Sequence, residues 1–137
     1  MKQCILVVED NPLNLELLRD WLDVEGFEVW HAADLTASYQ VFAKQIPSVV
    51  LLDINLGKED GLDLLAWMRQ KPDLKDIPVI AVTAHALLAE QQRILQAGCN
   101  ACLSKPIDFP LLRKQLNDCL QDRSMSPSSG QSSSDPY

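Results

Sequence analysis

The sequence has no long hydrophobic run. None of its apolar stretches approaches the roughly 18–20 residues that a membrane-spanning helix needs. The N-terminus also lacks a signal-peptide pattern, since only five apolar residues, 4–8, stand between Gln3 and Glu9. We therefore expect no membrane span and, by default, a cytoplasmic location.

The sequence has fewer basic than acidic residues. Twelve lysines and arginines stand against 19 aspartates and glutamates, which gives a net charge of −7. Non-specific nucleic-acid binding needs a basic surface, so direct DNA binding is not expected. Solubility accounts for most of the acidic excess.

Cysteines are too few for a disulfide framework in a chain of this kind. The four cysteines are Cys4, Cys99, Cys102 and Cys119. The C-x-x-C spacing of Cys99 and Cys102 leaves a redox pair or half of a zinc site open. The chain has no second C-x-x-C, and its two histidines form no ligand pair with the first, so buried thiols acting as small hydrophobes are favoured.

Short apolar runs alternate with helical patterns along one domain-sized chain of 137 residues. Strands are predicted over residues 4–8, 27–31, 49–53, 79–83 and 101–103. Helices are predicted from the Asn11 cap to Gly26, from the Asp34 cap to before Pro47, over 62–71, over 86–97 and over 109–120. Five βα units predict an α/β fold with a parallel sheet and helices on both faces. The flavodoxin-like, doubly wound strand order 2-1-3-4-5 is the natural choice.

Asp53 ends one of these runs, in which the four residues 49–52 are all apolar. Such an aspartate alone is more often a helix cap. In the predicted order, however, the first and third strands are neighbours, so Glu9 and Asp10 come beside Asp53 at one edge of the sheet. Three carboxylates at one edge repel one another and require a cation, and oxygen ligands suit Mg²⁺.

Thr83 and Lys105 follow at the ends of the fourth and fifth strands. Singly, Thr83 is an ordinary strand residue, Lys105 a surface lysine, and Glu9 and Asp10 helix-cap acids. Together, a metal, a hydroxyl and an ammonium around one aspartate can hold a phosphoryl group. Asp53 would then be the nucleophile and form an acyl phosphate.

Four segments carry a resemblance to a known family. They are residues 6–11 (LVVEDN), 52–56 (LDINL), 82–84 (VTA) and 103–106 (LSKP). Over residues 1–121 the chain resembles the receiver domain of two-component response regulators. The resemblance implies that Asp53 accepts a phosphoryl group from a phosphohistidine on a sensor histidine kinase or a histidine phosphotransfer protein.

The resemblance also implies a ligand set for Mg²⁺. Asp10 and Asp53 are expected to bind the ion directly, Glu9 mainly through water, and Asn55 through its main-chain carbonyl.

Three further residues take roles from the same resemblance. Thr83 is the hydroxyl expected to shift toward the phosphoryl group, and Lys105 is its counter-ion. The bond from Lys105 to Pro106 is expected to be cis.

Three positions depart from the family pattern. Cys102 stands where these domains usually carry an aromatic residue that turns inward on activation, which puts the usual threonine–aromatic coupling in doubt. Gly57 replaces a common proline and should loosen its loop. His85 lies two residues past Thr83, and we hypothesise that it sets the acyl-phosphate lifetime together with Asn55. A solvated loop histidine is the alternative.

Residues 122–137 hold seven serines, two prolines and a glycine, and we expect a disordered tail after the receiver domain of residues 1–121. The expectation is a stand-alone receiver whose fourth helix, fifth strand and fifth helix bind a downstream protein or a second copy of the chain. Two alternatives stay open. One is a binding module that works without phosphorylation. The other is a hydrolase with an aspartyl nucleophile, which Asn55 disfavours because that place needs a second acid.

Overall fold

Five parallel strands form one sheet in the computed structural model, which describes residues 2–85 and 87–124. The strands are β1 (Cys4–Val8), β2 (Glu28–Ala32), β3 (Val49–Asp53), β4 (Val79–Thr83) and β5 (Ala101–Ser104). Their order is β2-β1-β3-β4-β5, which confirms the predicted 2-1-3-4-5 arrangement. The five helices are α1 (Pro12–Val24), α2 (Leu35–Lys44), α3 (Leu62–Arg69), α4 (Leu88–Gln96) and α5 (Phe109–Ser124).

The apolar core lies on both faces of this sheet. In β3, Val50 and Leu52 belong to one buried cluster, which includes residues of α2, α3 and α4. Val49 and Leu51 belong to a second cluster, which includes residues of α1 and α5. Because successive side chains of a strand point to opposite faces, a strand covered on both sides must be apolar at every position. This explains why β3 reads as an uninterrupted hydrophobic run.

Side-chain caps begin the first two helices where the sequence predicts them. The Asn11 carboxamide accepts hydrogen bonds from the backbone N–H groups of Leu13 and Asn14, and Pro12 takes the first helical position. Asp34 accepts in the same way from the N–H of Ala37.

Helical spacing predicts an apolar face of α1 made by Leu13, Leu17, Leu18, Trp21 and Val24, and this prediction is partly wrong. Leu13, Leu17 and Val24 are 66%, 55% and 82% exposed, whereas the residues buried against the sheet are Leu18 and Leu22. Leucines surround much of this helix, so spacing alone could not identify the stripe that the sheet covers.

Several predicted boundaries shift, including the ends of α3 at Arg69 and α5 at Ser124. β2 runs one residue later than expected, and β5 continues through Ser104. The fourth helix was expected from residue 86, which lies outside the described residues, and α4 starts at Leu88. Leu87 keeps an extended backbone, with φ −65° and ψ 142°, and caps the helix with no side-chain hydrogen bond. The predicted tail overlaps the last turn of α5, and residues 125–137 lie outside the described residues.

A short antiparallel hairpin, which we did not predict, follows β3. Its two arms are Asn55–Leu56 and Glu59–Asp60. Gly57 lies in the turn at φ +57°, a conformation that favours glycine over other residues. Two-residue arms are too short to produce a periodic pattern, so the sequence carried no signal for them. Among the described residues, no helix is both long enough and apolar enough to cross a membrane.

Candidate functional site

Asp53 ends β3 at the carboxyl edge of the sheet, and its side chain is only 2% exposed. Lys105 Nζ lies 2.9 Å from Asp53 Oδ2. The backbone N–H of Asn55 donates to Asp53 Oδ1 at 2.9 Å. Both carboxylate oxygens therefore have a donor, which holds the side chain in one orientation.

Two more carboxylates arrive from the end of β1. Glu9 is 3% exposed, while Asp10 is exposed to solvent. Carboxylate oxygens of Glu9, Asp10 and Asp53 lie within 4.8 Å of one another. The backbone N–H of Asn11 donates to Glu9 Oε2 at 3.1 Å. The structure thus brings together the three acids that the predicted strand order placed side by side.

Charge and burial oppose each other at this edge. Burial raises the pKa of Glu9, and the nearby Asp53 charge adds to that rise, although the Asn11 N–H and the Lys105 charge counteract part of it. For Lys105, burial disfavours the ammonium, but the hydrogen bond to Asp53 and the charges of Asp53 and Glu9 outweigh it and raise the Lys105 pKa. Lys105 Nζ also lies 3.6 Å from Glu9 Oε1. The ammonium therefore stays charged between two buried carboxylates.

The acidic cluster suits a hard divalent cation. Its donor atoms are carboxylate oxygens, which Mg²⁺ prefers, and the exposed Asp10 leaves one side open to solvent. The hairpin loop passes close by, since a Cβ added to Gly57 would lie 3.7 Å from Asp10 Oδ2. The donor set and its compactness therefore fit Mg²⁺ at this edge.

Thr83, at the end of β4, is fully buried. The Thr83 hydroxyl donates to Asn55 Oδ1 at 3.5 Å. The same hydroxyl oxygen accepts a hydrogen bond from the N–H of His85 at 3.0 Å. The same Asn55 Oδ1 accepts from the N–H of Ala84 at 3.0 Å. The Asn55 side chain therefore bridges the hairpin and the segment that follows β4, a role that we did not anticipate from the sequence.

Lys105 is positioned by the end of β4 and by the turn that follows it. Its backbone N–H donates to the carbonyl of Thr83 at 2.9 Å, and the peptide bond to Pro106 is cis. A cleft of about 480 Å³ opens beside Lys105. Leu17 of α1 and Phe109 of α5 contribute to its apolar wall. An apolar surface thus adjoins the charged site.

The C-x-x-C pair lies outside this site. Burial raises the pKa of Cys99 to about 12 and also raises that of Cys102. Both side chains pack with the same apolar cluster, and both are free thiols. Within residues 2–85 and 87–124, no histidine or acid joins them in a group of three possible metal ligands. These surroundings favour small hydrophobes over a redox pair.

Among the described residues, the acid cluster includes neither His85 nor Cys102. The side chain of His85 is exposed, and that of Cys102 is half-buried against the cluster of α2, α3 and α4 residues.

The hairpin contacts other elements that the sequence did not reveal. Glu59 Oε1 accepts from the first N–H of α2, that of Leu35, at 3.1 Å. Asp60 accepts from the first N–H of α3, at Leu62, and lies 3.4 Å from Arg93 of α4. The two-residue spacing of Asp60 and Leu62 was the one local signal, since an acid just before a helix can cap it.

Comparisons with known proteins agree on one family. Residues 5–117 match the model of the response regulator receiver domain. The polar-differentiation response regulator DivK of Brucella anthropi is 35% identical over 122 residues, which cover 89% of this chain and 99% of that protein.

Solved structures agree. The receiver domain of a sensor histidine kinase from Pseudomonas aeruginosa, which has a magnesium ion coordinated in its active-site cleft, is 31% identical with a TM-score of 0.80, covering 88% of this chain and 99% of that one. The signal receiver domain of a signal transduction histidine kinase from Syntrophus aciditrophicus is 26% identical with a TM-score of 0.83, covering 90% and 94%. Sequence, fold and the acid cluster agree, and the chain belongs to the response regulator receiver domains, which serve phosphorylation-dependent two-component signalling.

Proposed function

We propose that Asp53 is the phosphoacceptor of this receiver. One Asp53 carboxylate oxygen attacks the phosphorus of a phosphohistidine on a sensor histidine kinase or a histidine phosphotransfer protein. A P–O bond forms, the P–N bond breaks, and the imidazole keeps the electron pair of that bond. The observation that carries the proposal is the convergence on buried Asp53 of one ammonium and two further carboxylates.

Lys105 supplies the positive charge that a transferred phosphoryl group needs. Its ammonium already lies 2.9 Å from Asp53 Oδ2. Because its backbone is hydrogen-bonded to Thr83 and its pKa is raised, it remains charged and in place during transfer. A fixed cation in a partly buried site stabilises developing charge more than one in water.

Glu9, Asp10 and Asp53, with the main-chain carbonyl of Asn55, would hold Mg²⁺. When bound, Mg²⁺ neutralises charge on the phosphoryl oxygens and on the acids around them. The oxygens of the three acids lie within 4.8 Å of one another, which supports this assignment. The chain's own part is to bind the ion, to orient Asp53 through the N–H of Asn55, and to exclude water from Asp53.

The phosphohistidine partner would approach across the cleft beside Lys105. Leu13 and Leu17 expose apolar surface at the end of α1 that faces the site, where a helix carrying a histidine could pack. We assign the protein to the cytoplasm, in keeping with the lack of a long apolar run.

Output would pass through α4, β5 and α5. Leu87, Leu88 and Leu95 are 74%, 69% and 48% exposed at and along α4, which supports a protein partner or a second copy of the chain as the ligand of this face. Cys102, in place of the usual aromatic residue, is too small to move inward and fill a large space.

His85 and Asn55 would govern how long the acyl phosphate survives, since both adjoin Thr83. Replacing His85 by alanine or glutamate should change the rate of dephosphorylation, measured as loss of the phosphoryl mass after the donor is removed. An unchanged rate would assign His85 to the solvated loop alone.

Incubation with Mg²⁺ and acetyl phosphate, read by intact mass, tests the central claim. We expect one added phosphoryl group in the wild type and none in Asp53→Asn. Asp60→Asn is the matched control. Asp60 lies in the hairpin that follows β3, outside the cluster of Glu9, Asp10 and Asp53, so this variant should still be labelled. No labelling under any donor would support a binding module, and continuous release of phosphate would support a hydrolase.

A further inference from the structure

The two acids that follow β1 stand beyond the paired part of that strand. β1 pairs with β2 as far as Val8 opposite Ala32, and the Glu9 N–H then donates to the Ala32 carbonyl at 3.0 Å. Asp10 comes next, and its side chain is exposed to solvent. Packing therefore does little to place the Asp10 carboxylate, and its direction depends on how the backbone leaves Glu9.

A histidine of β2 holds the backbone at this point. His31 Nε2 lies 3.0 Å from the main-chain carbonyl oxygen of Glu9, and the His31 side chain is half-buried. A carbonyl oxygen can only accept a hydrogen bond, so Nε2 carries the proton and donates it. That nitrogen therefore has no lone pair to offer to a cation, and it does not act as a metal ligand in this arrangement.

The bond from His31 restrains the peptide group between two of the acids. The Glu9 carbonyl and the Asp10 N–H belong to one planar unit, so a donor that holds the oxygen also sets the direction in which the chain enters Asp10. The Glu9 side chain is held separately, by the N–H of Asn11 at 3.1 Å and by Lys105 Nζ at 3.6 Å. His31 thus adds a main-chain restraint to these side-chain contacts.

We propose that His31 is a positioning residue of the Mg²⁺ site, whose Nε2–H holds the Glu9–Asp10 peptide so that both carboxylates face Asp53. Groups that orient the ligands of a metal without touching the ion strengthen its binding. Among the described residues, the three acids form the group of possible ligands, and His31 is not part of that group. The inference rests on the proposed assignment of Mg²⁺ to these acids, and it adds a residue 22 positions from Glu9 in the sequence.

Three replacements separate the donor from the other properties of the imidazole. His31→Gln places an amide N–H close to the position of Nε2, because the glutamine side chain reaches about as far as that atom. His31→Asn carries the same amide on a chain one methylene shorter, so its N–H falls short of the Glu9 carbonyl. His31→Val has no donor but forms strands well, so it controls for the lower strand propensity of asparagine.

The Mg²⁺ affinity of the full chain is the first measurement, obtained by titrating the amide NMR signals with MgCl₂ at one fixed pH. His31→Asn and His31→Val should bind Mg²⁺ about five-fold more weakly than the wild type, the factor that corresponds to one average hydrogen bond. His31→Gln should bind within about two-fold of the wild type, since it keeps the donor. Equal weakening in all three variants would refute the inference.

Urea unfolding of the metal-free protein is the second measurement. A bond that only stabilised β2 against β1 would contribute to the free energy of unfolding and leave the Mg²⁺ affinity unchanged. Lower stability of His31→Asn and His31→Val with the Mg²⁺ affinity of the wild type would therefore refute the positioning role. Weaker Mg²⁺ binding by these two variants in their folded state, with wild-type binding by His31→Gln, would support it.

The outcomes also separate this inference from the proposed function. If the wild type binds Mg²⁺ and is labelled by acetyl phosphate, but all three variants bind Mg²⁺ as the wild type does, the role of His31 is refuted and the phosphoacceptor stands. If the wild type does not bind Mg²⁺, the metal assignment and the role of His31 are both overturned.

Discussion

Replacing Gly61 by alanine should distort the backbone of Asp53 and Ile54 without changing a charged group. Gly61 precedes α3 with φ −57° and ψ −25°, a conformation that alanine adopts freely. A Cβ at this position would nevertheless lie 2.5 Å from the carbonyl oxygen of Asp53 and 2.9 Å from the Cα of Ile54. Both atoms belong to the backbone, so no side chain can rotate away to make room.

The size of the effect follows from that distance. Ordinary contact begins near 3.4 Å, so the start of α3 must move about 0.9 Å away from the end of β3. The Gly61 N–H donates to the Ile54 carbonyl at 2.8 Å, and this movement would stretch that bond. Overpacking of this kind costs about 1–3 kcal/mol, and the lower entropy of the unfolded alanine chain returns under about 1 kcal/mol. We expect a net loss of about 2 kcal/mol in the free energy of unfolding.

Gly26→Ala is the matched control. Gly26 has φ +95°, and an added Cβ would meet nothing within 4 Å, so its cost is backbone strain alone, about 1 kcal/mol. Urea unfolding of both variants measures the two costs. Gly61→Ala should also weaken Mg²⁺ binding, because the added Cβ presses on the backbone of Asp53, whose carboxylate belongs to the proposed metal site, whereas Gly26→Ala should not. If Gly61→Ala is no less stable than Gly26→Ala, or binds Mg²⁺ as the wild type does, the argument from close approach is refuted.

Three other substitutions or reactions give equally direct tests. Glu9→Gln should stabilise the metal-free protein at neutral pH, because the raised pKa of Glu9 means that its charge is costly in the folded state. That gain should disappear in urea titrations at about pH 3, below the ordinary glutamate pKa, where Glu9 is protonated in both states; an equal gain at both pH values would contradict it. The Arg69 guanidinium donates to the carbonyls of Lys75, Ile77 and Gly98 at 2.9–3.0 Å, and we call these three contacts the Arg69 clamp. Arg69→Met should therefore lower the free energy of unfolding, measured by chemical denaturation, by about 2–4 kcal/mol. A loss under about 1 kcal/mol would count against the clamp. Cys99, with its pKa near 12, should react with iodoacetamide at least about 100-fold more slowly than it does in the urea-unfolded chain, and reaction at the unfolded rate would restore the redox interpretation.

The fold could be predicted well because its strongest signals are local. A strand covered on both faces must be apolar throughout, and residues 49–52 show that pattern without interruption. Asn11 and Asp34 marked the starts of α1 and α2 through hydrogen bonds that span two or three residues. The start of α4 was predicted less well, since Leu87 offers no capping side chain and so no local signal.

The sequence alone determined the strand order and the acids that meet at one sheet edge, because parallel strands in a doubly wound fold end on the same side. Only the tertiary structure decided which hydrogen bonds these groups make. Lys105 and Asp53 are 52 residues apart, and Thr83 and Asn55 are 28 residues apart. At such separations, a difference of about 1 Å in packing decides whether a donor reaches one acceptor or another, since a hydrogen bond needs a distance near 3 Å. The Asn55 contacts, the hairpin and the Arg69 clamp arise in this way, because each depends on the mutual placement of elements that have no common local pattern.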